Sequence, residues 1–316
     1  MKGNPIYVEL DIAADMESLW RHTQEPALHQ QWDLRFTEIN YLPKEAEGQP
    51  QRFLYRTRIG FGLHIQGTGE ARTPPWSTSG QRMSTLVFGS AQPISLISQG
   101  GGYWRYKPNG AGVTFSTSFH YETRFGKLGR LLDGLLFRPF FGYATAWSFD
   151  RLRLWLERGL TPAVSLKLAA VHYMSVAAIT MLWLFEGLVP KLLYPEGGEL
   201  AIYSATGLFP GAEEILLPAL GITELAAGAA VLIWHRKLIV YAVSLGLLIL
   251  LGAAACIGAP ELLASPFNPL TTSMPMAVLC LIAAMTADGV PSARRCRRRL
   301  REESGQRGGG HDAIDL

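Results

Sequence analysis

Two hydrophobic periodicities divide this chain. In its first half apolar and polar positions alternate. Ile6, Val8, Leu10 and Ile12 are interleaved with Tyr7, Glu9 and Asp11; Phe53, Tyr55, Thr57 and Ile59 follow the same rule, as do Val113, Phe115, Thr117, Phe119 and Tyr121. Side chains of a strand point to opposite faces with period two, so these segments predict half-buried antiparallel strands. Gly60, Phe61 and Gly62 join one strand to the next, from Leu63 to Arg72, and Pro108, Asn109 and Gly110 supply a second hairpin turn. Two short helices are expected between Asp15 and Gln31. After the last strand the period becomes 3.6. Leu128, Leu131, Leu132, Leu135, Leu136, Phe140, Tyr143 and Trp147 form one stripe, predicting a long helix that covers the sheet, kinked at Pro139.

From residue 168 to 290 the pattern is different: four apolar runs, at Leu168 to Val189, Glu214 to Trp234, Leu238 to Ile257 and Thr272 to Thr286. The third carries no charged residue. At about 1.5 Å per residue such a run crosses a hydrocarbon core of roughly 30 Å. Arg236 and Lys237 lie between the second and third runs, and Arg294, Arg295, Arg297, Arg298, Arg299 and Arg301 follow the fourth. The first-to-second connection has Lys191 alone, and the third-to-fourth has none. By the positive-inside rule this predicts four spans with both termini cytoplasmic, in a multi-pass protein of a bacterial inner membrane. The start, Met1 to Asp15, lacks the pattern of a secretory signal, in keeping with a cytoplasmic first domain.

Averages conceal this division: mean hydropathy is only +0.13, and 17% charged residues in 316 would suit a soluble protein. Read in halves, the chain predicts a soluble α+β domain at 1–160, a membrane domain at 165–290 and a basic, disordered cytoplasmic tail at 291–316. An arginine run directly after a span is expected to hold the membrane face rather than nucleic acid. Cys256, Cys280 and Cys296 show no CxxC spacing and no histidine companions, so no disulfide scaffold, metal centre or cofactor is expected.

Ionisable groups inside spans are costly, about 3 kcal/mol each at a helix centre. Glu224 lies near the middle of the second run. Glu186 lies a turn before the outer end of the first, close to Lys191. Two readings stand for Glu224: a polar site that binds a headgroup or quinol or passes a proton, or a structural carboxyl satisfied by Thr223 or Ser175. Glu186 is expected to snorkel to the interface near Lys191. His172 and His235 are read as interfacial side chains. His64 and His120 face away from their strands' apolar sides, and no spacing identifies a catalytic set.

Trp183, Glu186, Gly187, Leu188, Val189, Pro190 and Lys191, with an acidic outward loop and later Asn268, Pro269 and Leu270, resemble the DoxX-like family over residues 165 to 290. That resemblance implies a four-helix inner-membrane bundle. The family is named after a subunit associated with a thiosulfate:quinone oxidoreductase, so a quinone partner is a family-level expectation. Residues 4 to 159, including the run HQQWDLRFTEINYLP, resemble the helix-grip fold of the START-like, polyketide cyclase or SRPBCC superfamily. That fold implies a cavity for apolar or amphipathic ligands, which Trp32, Tyr55, Trp104, Tyr106, Tyr121 and Trp147 would line. The expected function is a membrane-anchored binding protein for a hydrophobic or amphipathic small molecule or lipid. The alternatives are a quinone-linked oxidoreductase subunit and a cyclase-like or dehydratase-like enzyme. The lipid bilayer is the expected partner, and a homo-oligomer is compatible with the sequence.

Overall fold

The computed structural model describes residues 5–299 apart from 45, 47, 75–79, 208, 265 and 267. Residues 1–162 and 291–316 make one compact unit and residues 163–290 a second.

The first unit is an antiparallel sheet of seven strands gripping a long helix. β1 (Ile6–Ile12) is followed by α1 (Met16–Gln24) and α2 (Pro26–Trp32). Then come β2 (Glu38–Tyr41), β3 (Gln51–Gly60), β4 (Leu63–Arg72), β5 (Arg82–Gly89), β6 (Ile97–Asn109) and β7 (Gly112–Thr123). Asp15 caps α1, accepting from the Ser18 N–H, and Pro26 opens α2 where no N–H is needed. The strands run β1-β7-β6-β5-β4-β3-β2, so the first strand closes onto the last and both β1 and β2 are edges. The two expected hairpins form at Gly60/Leu63 and Asn109/Gly112. β6 does not alternate in sequence because it carries Gly100, Gly101 and Gly102. A Cβ on Gly102 would lie 2.5 Å from the Cβ of Phe119 on β7, so the glycine lets that ring occupy the core face.

The helical stretch after β7 is α3 (Gly126–Leu132), a π-helical turn (Asp133–Phe137) and α4 (Arg138–Arg158). Pro139 sits in the first turn of α4, directly after the π turn, so the expected kink appears as a change of helical winding. The apolar stripe is corrected. Only the second part of the helix, Thr145 to Leu154, is buried; Leu128, Leu131, Leu132, Leu135, Leu136, Phe140 and Tyr143 are exposed. The inward positions of the first part are Gly129, Asp133, Phe137 and Phe141, a narrow i, i+4 row that meets Tyr121.

The basic tail is a second correction. Residues 291–299 are not a loose tail but a strap on this unit. Glu9 and Arg297 exchange both backbone hydrogen bonds at 2.9 Å, pairing the strap with the free edge of β1. The Ser292 N–H donates to Asp150 Oδ2 at 2.6 Å, and the Cys296 thiol donates to the Ala146 carbonyl at 3.2 Å. Asp150 is fully buried and also accepts from Arg153 Nε at 2.6 Å. A buried carboxylate needs such donors, which is why a segment that reads as solvated charge becomes ordered. Burial also pushes the Cys296 thiol up to about 12, so it is an inert neutral donor. The remainder of the run, from residue 300, lies outside the described residues.

The second unit contains the four expected spans: α5 (Pro162–Leu188), α7 (Glu213–Trp234), α8 (Leu238–Gly258) and α9 (Pro269–Thr286), with a short α6 (Glu199–Ala205) in the first connection. A π turn, Val189–Leu193, prolongs α5 beyond the expected end at Val189. Their core is built from Val176, Ile179, Trp183, Val231, Tyr241, Leu248, Met276, Cys280 and Ala283, while Met181, Ile249 and Met285 lie outside, as lipid-facing positions do.

Candidate functional site

Two glycines set the geometry of the bundle's polar centre. A Cβ on Gly187 would come within 2.5 Å of the Gly221 carbonyl oxygen, and one on Gly221 within 2.7 Å of the Gly187 oxygen, so α5 and α7 touch backbone to backbone. Glu224 lies just beyond Gly221 on α7, and Lys191 just beyond Gly187 in the π turn that Pro190 opens. The close approach therefore brings them together. Lys191 Nζ lies 3.1 Å from Glu224 Oε2 and 3.5 Å from Glu199 Oε2 of α6. It also reaches the Glu186 carbonyl oxygen at 3.4 Å. Both Lys191 and Glu224 are buried, and the 3.1 Å contact is an ion pair whose angle falls short of a hydrogen bond, leaving that oxygen able to accept from another donor.

This pair borders a cavity of about 580 Å³. Its polar border includes Glu186, Lys191, Glu199, Glu224, Asn268 and Ser273, and its apolar wall is made largely by α7, α8 and α9, with Leu217, Leu251 and Met276 among its residues. Trp183 of α5 completes it. Its indole N–H is buried with no hydrogen-bond partner among the described residues. This half-open cavity thus presents an unused donor, an ion pair and an apolar wall together. Asn268 holds the start of α9 in place as its cap, accepting from the Leu270 and Thr271 N–H groups. Glu186, Lys191 and Glu224, the three ionisable residues that stand out in the sequence of the spans, all reach this one cavity. Lys191, rather than Thr223 or Ser175, is the partner of Glu224. Thr223 donates instead to the Ala219 carbonyl of its own helix.

The other end of the bundle holds a cluster that the sequence does not reveal. His172 Nδ1 is 3.0 Å from the Ala283 carbonyl oxygen, and His172 Nε2 is 3.0 Å from His235 Nδ1. A carbonyl only accepts, so with both rings neutral the His172 Nδ1 carries the proton, and His235 Nδ1–H donates to His172 Nε2. These are therefore not separate interfacial side chains: they tie α5, α7 and α9 together. Among the described residues no three His, Cys, Asp or Glu side chains gather as metal ligands.

In the first unit the six aromatic residues expected to line a cavity are packed into the core or against it. Trp32 donates to the His22 carbonyl at 2.8 Å, the Tyr106 hydroxyl meets Thr23 Oγ1 at 2.7 Å, and Tyr121 donates to Asp133 Oδ1 at 2.6 Å. Phe115 stacks on Phe149 with ring centroids 4.4 Å apart and on Tyr106 at 4.9 Å, while Trp32 and Trp104 close around them. Tyr55 stands apart, beside Phe36 and Phe53, donating to the Gly89 carbonyl at 3.3 Å; Trp147 lies under the Arg151 guanidinium. A pocket of about 580 Å³ does open in this unit, but Trp20, Tyr41, Lys44, Arg72 and Thr85 line it, and none of the six does. Beside the core, Asp33 is buried between His29 at 3.1 Å and Arg35 Nη2 at 2.6 Å. Burial alone would raise the Asp33 carboxyl; the Arg35 guanidinium and the His29 ring outweigh it and hold the group well below the usual carboxylate range. Burial lowers the His29 value, Asp33 offsetting only part of that. This triad lies inside HQQWDLRF, and the i, i+4 spacing of His29 and Asp33 is the signal that could have found it.

The four apolar helices and the chain's similarities define a class. Residues 180–281 match the DoxX-like family, so this is a membrane protein with a DoxX-like domain. The uncharacterized membrane protein YndG of Bacillus subtilis (strain 168) is 46% identical over 189 residues, which cover 59% of this chain and 70% of that one, and the chain belongs to the family of YndG. Among solved structures, the Zhui aromatase/cyclase from Streptomyces sp. R1128 is 12% identical, covering 47% of this chain and 94% of that one with a TM-score of 0.35. TTHA0849 from Thermus thermophilus is 16% identical, covering 42% and 84% with a TM-score of 0.34.

Proposed function

We propose that the DoxX-like bundle binds an amphipathic small molecule from the surrounding bilayer, with its polar head at Lys191, Glu224 and Trp183 and its apolar body along α7, α8 and α9. The observation that supports this reading is the buried ion pair bordering an apolar cavity of about 580 Å³, a size within the usual range of small-molecule sites. A structural ion pair alone would be packed around, because the atoms lining a void forfeit dispersion attraction on that side. The fold resemblance points to a binding site in the soluble domain; the proposal moves it into the bundle. In the soluble domain Trp32, Trp104 and Tyr106 pack with Phe115 and Phe149.

The test is mass spectrometry of molecules retained by the detergent-extracted chain, comparing wild type with Leu217→Trp, which puts an indole into the cavity wall. Wild type is expected to retain a lipid, quinone or other amphiphile, and the variant to lose at least about tenfold of it, as an equilibrium cost of 1.4 kcal/mol or more implies. Equal retention by a folded variant would sink the proposal, and a retained quinone would support the oxidoreductase-subunit reading within it.

On the same reading both termini lie in the cytoplasm. The strap returns the chain at residue 291 to the unit it left at residue 162, which requires an even number of crossings, and Arg236 and Lys237 mark the inner side. A reporter active only outside the cytoplasm, fused after Leu316, is expected to stay silent; its activity would overturn the orientation.

A further inference from the structure

One end of the first unit exposes more apolar surface than a soluble face carries. Around the π turn, Leu128, Leu131, Leu135 and Leu136 point outward, and Leu135 and Phe140 are 67% and 70% exposed. Only the narrow row Gly129, Asp133, Phe137 and Phe141 faces the sheet. A second apolar element reaches the same end. The β3–β4 hairpin carries Ile59, Phe61 and Leu63 at its tip, all exposed, with Phe61 wholly so. The register shows that the two belong together: β7 leaves the sheet at Thr123, opposite Ile97 of β6, and β4 passes Gly89 of β5 at Thr68 before running on to the tip at Leu63. The hairpin therefore projects past the sheet on the side where α3 begins.

Within residues 125–143 and 58–64 the exposed charges are basic, and the exposed Glu122 lies just outside them on β7, accepting from Gln99. Lys127 and Arg130 lie exposed on α3, and Arg58 pairs with His64 across the strands directly behind the hairpin tip. The one carboxylate within residues 125–143, Asp133, is turned inward, accepting from Tyr121 and Arg138. Leucine and phenylalanine on one side with basic residues beside them is the arrangement of a helix lying in a membrane interface. The chain is anchored in a bilayer by four spans, so such a surface is always within its reach.

We propose that the helix from Phe125 to Tyr143, together with the Phe61 hairpin tip, docks on an anionic bilayer surface. The leucines and phenylalanines enter the acyl boundary, and Lys127, Arg130 and Arg58 meet lipid phosphates. A contoured protein partner would need matching pockets for two separate protrusions, whereas a bilayer accepts any apolar outline.

The experiment uses the full chain in nanodiscs of phosphatidylcholine and phosphatidylglycerol that contain nitroxide-labelled lipid. An environment-sensitive maleimide dye is attached at Leu131→Cys, at Phe61→Cys and, as a control at the opposite end of the sheet, at Lys107→Cys. The native thiols are buried at Cys280 and Cys296 and partly buried in a span at Cys256, and labelled wild type measures their background. None of the three substitutions removes a buried side chain. Dyes at positions 131 and 61 are expected to shift to shorter wavelength and be quenched by the nitroxide at least about twofold more than the dye at 107. In phosphatidylcholine alone the quenching should fall to about half or less, because the basic residues lose their partner. Quenching at 131 and 61 no greater than at 107 would overturn the proposal, as would protection of both positions by self-association of the chain without quenching. Equal quenching in both lipid compositions would overturn the anionic assignment.

Discussion

Glu224→Leu is expected to destabilise the bundle by about 3 kcal/mol, the low end for a broken buried pair, because the Lys191 ammonium loses its nearest charge and keeps the longer contact to Glu199. The decisive comparison is the double variant. Lys191→Met combined with Glu224→Leu removes both charges together with their desolvation cost, and its stability should return to within about 1–2 kcal/mol of wild type. Thermal unfolding of the detergent-solubilised chain reads both effects. Ligand retention reads something else: the double variant should be stable and still lose the bound molecule, since the cavity keeps its apolar wall but not its polar head. If the single variant matches wild type in thermal midpoint, the ion pair does not hold the bundle; if the double variant keeps its ligand, the pair does not hold the head.

Ending the chain after Val290 is expected to cost the first unit about 3–6 kcal/mol. The loss includes the two Glu9–Arg297 backbone bonds, the Ser292 donor to Asp150 and the Cys296 donor to Ala146. Most of the cost falls on Asp150, which would keep Arg153 but lose its backbone donor while fully buried. Asp150→Asn should recover part of the loss in the truncated chain by removing the buried charge, and in the full chain it should itself destabilise. Urea unfolding followed by tryptophan fluorescence makes the comparison. A truncated chain with an unchanged midpoint would show that the strap is incidental.

What is legible in the sequence follows from the range of the signal. The four spans and the strands β1, β3, β4 and β7 are written locally, as apolar runs or strict alternation, and they appear where that pattern puts them. β6 is obscured because its core-side positions hold glycines that make room for β7 side chains, so the apolar signal moves to the neighbouring strand. The stripe from Leu128 to Tyr143 has the helical period but not the expected facing: periodicity tells that one side of a helix is apolar, not whether a sheet or something else covers it. At the polar centre the residues are identifiable by their cost in a span, but the pairing of Lys191 with Glu224 is not, because it depends on a backbone contact between Gly187 and Gly221. The strap escapes sequence reasoning for a related reason. A run of arginines looks solvated until the buried carboxylate it approaches, more than a hundred residues earlier, is in place.

The strap also fixes an order of events during synthesis. A ribosome delivers β1 to β7 and α4 well before residue 291, so the nascent soluble domain waits with the outer edge of β1 unpaired and Asp150 short of a donor while the spans are handed to the insertion machinery. Only when α9 has been placed does the chain supply the segment that finishes the domain. A chain stalled between spans would therefore keep the outer edge of β1 unpaired and Asp150 without its Ser292 donor.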